Sequence, residues 1–117
     1  MKDDNKKTDE HILVCLSAAP SNQKIIDTAA KMANALQTRF TALYVQTGTK
    51  AEAADKEKLE EHIRYAEKLG AEIVMTHGEN IPVQIAEYAR LSNVTEIVIG
   101  QSNARRNHFF SQATLTE

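Results

Sequence analysis

Apolar and polar positions come in blocks along this chain, and the spacing inside each block predicts its element. The first apolar run, His11 to Ser17, has Ile12-Leu13-Val14-Cys15-Leu16 at its centre. It is too short for a typical helix and free of Gly and Pro, which predicts a strand buried on both faces. Ala18-Ala19-Pro20-Ser21 follows, with Ser21 placed to cap a helix whose apolar positions Ile25, Ile26, Ala29, Ala30, Ala33 and Leu36 keep helical spacing. Phe40-Thr41-Ala42-Leu43-Tyr44-Val45 is rich in aromatic and β-branched residues and predicts a second strand, closed near Gly48. A charged segment then carries Leu59, Ile63, Ala66 and Leu69 on one face and ends at Gly70, the pattern of an amphipathic helix with a glycine C-cap. Ala71 to Thr76 predicts a third strand, broken at Gly78. Asn80 is placed to cap a third helix with Pro82 in its first turn, running to about Leu91. Asn93 suits the left-handed conformation that ends a helix, and Val94 to Gly100 predicts a fourth strand.

Strands alternating with helices imply right-handed crossovers and a parallel sheet with helices on both faces, a three-layer α/β/α fold. In such open sheets, ligands bind beyond the carboxyl ends of the strands. That edge comprises Leu16 to Ser21, Val45 to Gly48, Thr76 to Asn80 and the chain from Gly100 onward. The last segment, Gln101 to Glu117, starts polar, carries Arg105 and Arg106 and then Phe109 and Phe110, and predicts no fifth strand, as in a chain cut before its last strand. Residues 1–10 are expected to be a disordered polar segment and residues 11–117 one domain. No internal repeat or low-complexity tract interrupts it.

Composition narrows the class. With 117 residues the chain has the length of one domain, and its 42% hydrophobic and 26% charged content is that of an ordinary soluble globular protein. Its 14 Lys plus Arg against 16 Asp plus Glu leave a formal charge of −2, with no overall field to gather nucleic acid or anionic lipid. Neither nucleic acid nor membrane is therefore an expected partner. Met1 to Glu10 has no apolar signal-peptide core, and no stretch approaches a membrane span, so a cytoplasmic location is expected.

Chemistry-bearing residues are few. Cys15 is the single cysteine, which excludes an internal disulfide, and its apolar run reads as core packing. Neither Cys15 nor another histidine lies at metal-ligand spacing from any of the four histidines, so no metal site is expected. His11 begins a strand, and His62 lies on the charged helix. His77 follows strand three at the ligand edge, where it reads as a solvated loop residue. Arg105, Arg106 and His108 read as a solvated basic face. No nucleophile–base pair or paired carboxylates stand out, so no catalytic residue is assigned and the chain is not expected to be an enzyme.

Four segments taken in order carry a resemblance: Val-Cys-Leu-Ser ending strand one, the Pro-Ser turn, Phe-Thr-Ala-Leu-Tyr-Val on strand two, and Asn-Val-Thr-Glu-Ile-Val-Ile-Gly on strand four. From about residue 10 to 115 the chain resembles the universal stress protein family, and within it the universal-stress-protein-like domain of KdpD, the sensor histidine kinase of the potassium-responsive two-component system. The resemblance implies strand order 3-2-1-4 and a regulatory role within a larger kinase, whose phosphoacceptor and transmembrane segments are not in this sequence.

Two ligand patterns come with the resemblance. ATP-binding members carry Gly-x2-Gly-x9-Gly-Ser/Thr after strand four. The register here gives Gly100, Asn103, Ala113 and Thr114, and Ser17 stands where an acidic residue tends to end strand one, so ATP is not the expected ligand. The pattern associated with cyclic di-AMP, Ser-x-Ser, twenty residues, then Phe-Thr-Ala-x-Tyr, gives Ser17, Ala18, Ala19 and then Phe40, Thr41, Ala42, Leu43 and Tyr44. Only Ala19 departs from it. The implied ligand residues are Ser17, Phe40, Thr41, Ala42, Tyr44 and Gly100; in the alternative reading, Phe40 and Tyr44 are core residues and Ser17 a turn residue. The leading expectation is a sensing domain for cyclic di-AMP with no required cofactor. The alternatives are a ligand-free interaction module pairing with other domains of the parent kinase or as a homodimer, and a stand-alone ATP-binding stress protein.

Overall fold

The computed structural model describes residues 10–48, 53–100 and 108–111, the last four by backbone only. Most of the polar amino-terminal segment, together with Asn103, Arg105, Arg106, Ala113 and Thr114, lies outside the described residues.

The strands are β1 (His11–Cys15), β2 (Arg39–Gln46), β3 (Glu72–His77), β4 (Glu96–Ile99) and β5 (His108–Ser111). The helices are α1 (Asn22–Leu36), α2 (Ala53–Lys68) and α3 (Ile81–Leu91). The sheet order is β3-β2-β1-β4-β5, and the first four are parallel. The order 3-2-1-4 expected from the sequence is thus observed. The absence of a fifth strand is not: β5 lies antiparallel on β4, with Val98 opposite Phe109 and Ile97 opposite Phe110. An antiparallel return onto an edge strand needs no crossover helix, and four residues suffice to pair there. So short a segment in polar surroundings has no periodicity to read.

Side chains alternate across the central strands. Ile12, Val14, Phe40, Ala42 and Val98 pack on one face with Ile25, Ile26 and Ala29 of α1 and Ala66 of α2. Leu13, Leu43, Val45 and Ile97 pack on the other with Ile85 and Ala89 of α3. Strands β1 and β4 carry apolar residues on both faces because both faces are covered, as the unbroken run Ile12 to Leu16 anticipated for β1. Two residues of the expected stripes fall outside the core. Leu36, the last residue of α1, is 42% exposed, and Leu69, one position beyond α2, is 38% exposed.

All three helices end alike. Thr38 N–H bonds Ala33 O, Ala71 N–H bonds Ala66 O and Val94 N–H bonds Ala89 O. The residue before each donor has positive φ: Gln37 (53°), Gly70 (103°) and Asn93 (57°). This is the six-to-one bond of a Schellman terminus, and only Gln37 is a residue type ill suited to it. At the helix starts, Asn80 caps α3 as expected, its side chain accepting from Val83 N–H at 3.1 Å. Ser21 holds the corresponding position before α1, but its side chain makes no capping bond. Its αR backbone (φ −76°, ψ −5°) differs from the extended conformation in which a cap side chain reaches back.

A polar knot sits at the amino edge. His11 is 2% exposed, and its Nε2 lies 2.8 Å from Thr41 Oγ1. Arg39 Nη2 approaches Nδ1 at 2.9 Å. Nδ1 also lies 3.1 Å from the Ser92 carbonyl, so it accepts from Arg39 in the Nε2–H tautomer and donates to Ser92 O when it carries a proton itself. Burial is the main cause that lowers the His11 pKa below 6.5. The Ser92 carbonyl opposes it, the Arg39 charge adds to it, and Glu72 opposes it.

Candidate functional site

The chain leaves β1 at Cys15 and must turn before α1, and this turn is held from two sides. Asn22, the first residue of α1, is 2% exposed. Its Nδ2 donates to Cys15 O at 3.0 Å, and its Oδ1 accepts from Ser17 N–H at 3.2 Å. One side chain therefore satisfies both backbone groups that the end of the strand leaves open. From α2, the buried His62 reaches Ser17 O with Nδ1 at 2.7 Å. A carbonyl only accepts, so Nδ1 carries the proton. The Ser17 hydroxyl accepts from Ala19 N–H at 3.2 Å, closing the turn on itself.

Above this turn lies a cavity of about 520 Å³, its floor formed by the ends of β1 and β4 and its sides by the first turns of α1 and α3. Cys15, Ser17, Ala19, Ser21, Asn22 and Gly100 are among its lining, with Ile81 and Ile85 of α3 opposite. Connections run from β1 to β2 on one side and return to β4 on the other, so the cavity sits where the strand order reverses. Open α/β sheets bind their ligands at this switch point. The amino ends of α1 and α3 both border it, and neither has an acidic residue in its first turn. Their amide dipoles therefore favour an anion.

Cys15 is not the chemistry of this cavity. Burial pushes its thiol pKa up to about 12, so it stays protonated and apolar. Among the described residues no group of three His, Cys, Asp or Glu could hold a metal ion, and no helix is long and apolar enough to cross a membrane.

No protein-family model matches the chain. Its fold superimposes on a universal stress protein from Archaeoglobus fulgidus with a TM-score of 0.61 at 20% identity, covering 80% of this chain and 77% of that one. A universal stress protein in complex with cAMP superimposes with a TM-score of 0.60 at 20% identity, covering 83% and 76%. Over 108 residues, 90% of its length, the chain is 44% identical to the sensor protein KdpD of Clostridium acetobutylicum. This is a universal-stress-protein-like domain of the kind that KdpD sensor proteins contain. It spans 12% of that relative's length.

In this KdpD-type domain the sequence-derived site residues divide into two groups. Ser17 and Gly100 line the switch-point cavity, and Tyr44 stands with Ser17 on an adjoining one. Phe40, Thr41 and Ala42 line neither. They are 7%, 0% and 0% exposed, Phe40 and Ala42 in the apolar core and Thr41 bonded to His11. The reason is distance along the strand. A strand advances about 3.3 Å per residue, so these early positions of β2 lie well below the carboxyl edge that Tyr44 approaches. Ala19, the one departure from the Ser-x-Ser pattern, lines the cavity, so a serine there would add a hydroxyl to its wall. A Cβ on Gly100 would meet Ile25 Cδ1 at 3.5 Å, an ordinary contact, so packing alone does not demand glycine there. Asn22 and His62 went unassigned in the sequence. Asn22 follows a serine that looked like the cap, and His62 is surrounded by Glu, Lys and Arg, which hides its burial.

Proposed function

We propose that this domain binds a nucleotide messenger, cyclic di-AMP, at the switch-point cavity and passes its occupancy to the other domains of a KdpD-type, potassium-responsive sensor kinase in the cytoplasm. The observation that carries the reading is the 520 Å³ cavity bordered by two helix amino ends free of acidic residues. Its apolar walls suit a base and its amides a phosphate. The cAMP complex of a neighbour with this fold supports the class of ligand. Ser17 supplies a hydroxyl and Tyr44 an aromatic face. The domain acts here as a binding module without turnover of its ligand. Calorimetric titration with cyclic di-AMP, with ATP in a parallel cell, tests it. The expected result is binding of cyclic di-AMP and not ATP, weakened in Tyr44→Ala protein that still melts cooperatively. Heat-silent titrations with both ligands would reject the messenger reading.

A second reading, a ligand-free interaction module that pairs with other kinase domains or with itself, is favoured by the outer side of α3. Val83 is 52% and Leu91 71% exposed there. Two such side chains eight positions apart lie on one face of a helix. Sedimentation of the domain alone and with the remaining kinase domains separates this reading from the first.

A further inference from the structure

Strand β3 stands at one edge of the sheet, and among the described residues nothing pairs with its outer side. Soluble proteins blunt such edges with Lys, Pro, a bulge or a cover, because open amides and carbonyls pair with any strand they meet. β3 has no such device. Its sequence, Glu-Ile-Val-Met-Thr-His, holds neither Lys nor Pro, and its register on β2 runs unbroken from Glu72 to His77. Gly78 N–H bonds Gln46 O at 3.1 Å, so the alternation of the strand turns the N–H and C=O of Ile73, Met75 and His77 to the free side. Met75 is 54% exposed there.

This edge is complementary to itself. Two copies paired antiparallel about a twofold axis normal to the sheet set residues of the same face opposite each other. With the axis at Val74, that residue meets the partner's Val74, and Ile73 and Met75 meet each other twice through their outward N–H and C=O groups. Moving the axis by one residue sets Val74 against Glu72 or Ile73 against His77, so the apolar pattern selects one register. The helix above it agrees. A groove of about 670 Å³ between α2 and β3 is lined by Leu59, Ile63 and Met75, with Lys56, Glu60 and His77 beside them. Continued at helical spacing, this side of α2 reads Lys56, Glu60, Arg64 and Glu67, alternating in sign. All four are exposed, and among the described residues none forms an ion pair. Ala66 O bonds Ala71 N–H at one end of β3, and Lys56 shares the groove with His77 at the other. Helix α2 therefore runs antiparallel to β3, and the axis at Val74 passes level with its middle. The same axis sets Lys56 across from the partner's Glu67 and Glu60 across from the partner's Arg64.

We infer that β3 is an interface between two copies of this chain, which join their sheets antiparallel about Val74 and bring their α2 helices side by side on one face. This gives self-pairing a surface separate from the outer side of α3, and it holds whether or not a nucleotide binds. One strand and one helix stripe per copy make a small interface, so the dimer exchanges with monomer and does not lock.

Sedimentation velocity of the full chain from about 10 µM to about 1 mM tests it, with a monomer–dimer equilibrium expected in that range. Met75→Lys, at an exposed position, is expected to weaken the dimer at least about tenfold, because a lysine then faces Ile73 on each side of the seam. Glu60→Arg and Arg64→Glu each set like charges together twice and are expected to weaken it about three- to tenfold. The double variant restores opposite signs and should return it to within about twofold of wild type. Unchanged melting of the dilute variants separates these effects from damage to the fold. A wild type still monomeric at the highest concentration, a dimer indifferent to Met75→Lys, or a double variant as weak as the single ones overturns the inference. A dimer lost in Val83→Asp and kept in Met75→Lys also overturns it, and leaves self-pairing through α3 standing. Growth beyond the dimer, as when β3 meets β5 of the next copy, overturns the twofold arrangement.

Discussion

Asn22 holds the turn beneath the cavity, and its removal has a calculable effect. Asn22→Ala deletes two hydrogen bonds, to Cys15 O at 3.0 Å and from Ser17 N–H at 3.2 Å, at a position only 2% exposed. Each bond contributes about 1 kcal/mol, and stranding two shielded backbone groups adds more, so a loss of about 2–3 kcal/mol is expected. In a domain of about 100 residues this lowers the melting temperature by roughly 10–20 °C. Asn22→Asp supplies the control. Its carboxylate still accepts from Ser17 N–H but faces the Cys15 carbonyl with no proton to donate. Burial and that carbonyl raise its folded pKa above the unfolded ~3.9, so folding favours the protonated form. Its deficit against wild type should be small near pH 4 and grow as pH rises to 7. Urea unfolding of the three proteins across that range reads both effects. An Asn22→Ala protein within about 0.5 kcal/mol of wild type, or an Asn22→Asp profile parallel to wild type, would falsify the role given to this side chain.

Three further outcomes are expected. Gln37 has φ 53°, so Gln37→Gly should stabilise the domain by about 1 kcal/mol, seen as a higher urea midpoint with unchanged slope; a lower midpoint would contradict it. Because native His11 binds its proton more weakly than the unfolded chain does, its contribution to stability is complete above pH 6.5 and is lost as pH falls below that value. Melting scans from pH 7.5 to 5 should show the decline, and His11→Gln, which no longer titrates beside Arg39 and Glu72, should flatten it. With a thiol pKa of about 12, Cys15 is ionised in roughly one molecule in ten thousand at pH 8, so alkylation should be very slow in native protein and fast in urea. A native rate equal to that of a free thiol would show the burial to be wrong.

How much of this was legible in the sequence depended on whether the signal was local. Asn80 and Asn93 announced their cap and terminus because both conformations are set within a few residues. The strand order followed from the resemblance, since periodicity alone gives alternation and not which strand lies beside which. Ser21 looked like a cap and is not one, because the neighbouring Asn22 is drawn to a strand end that only the tertiary fold brings near. His62 bonds a carbonyl 45 positions away, and nothing in its charged neighbourhood reports that. Phe40, Thr41 and Ala42 belonged to a pattern that is contiguous in sequence and divided in space, with Tyr44 near the sheet edge and the other three below it.

The cavity joins the beginning and the end of the parallel sheet: β1 and β4 pair through Ile12 and Glu96, 84 positions apart. No local segment can form it. It exists only when the central ladder exists, so a bound ligand favours the whole fold over every state in which that ladder is open. At a ligand concentration one hundred times its dissociation constant, that adds about 2.7 kcal/mol to global stability. The most protected amides of the core should then exchange with solvent about a hundredfold more slowly on binding, including those of β2 far below the cavity, while fraying helix ends exchange as before.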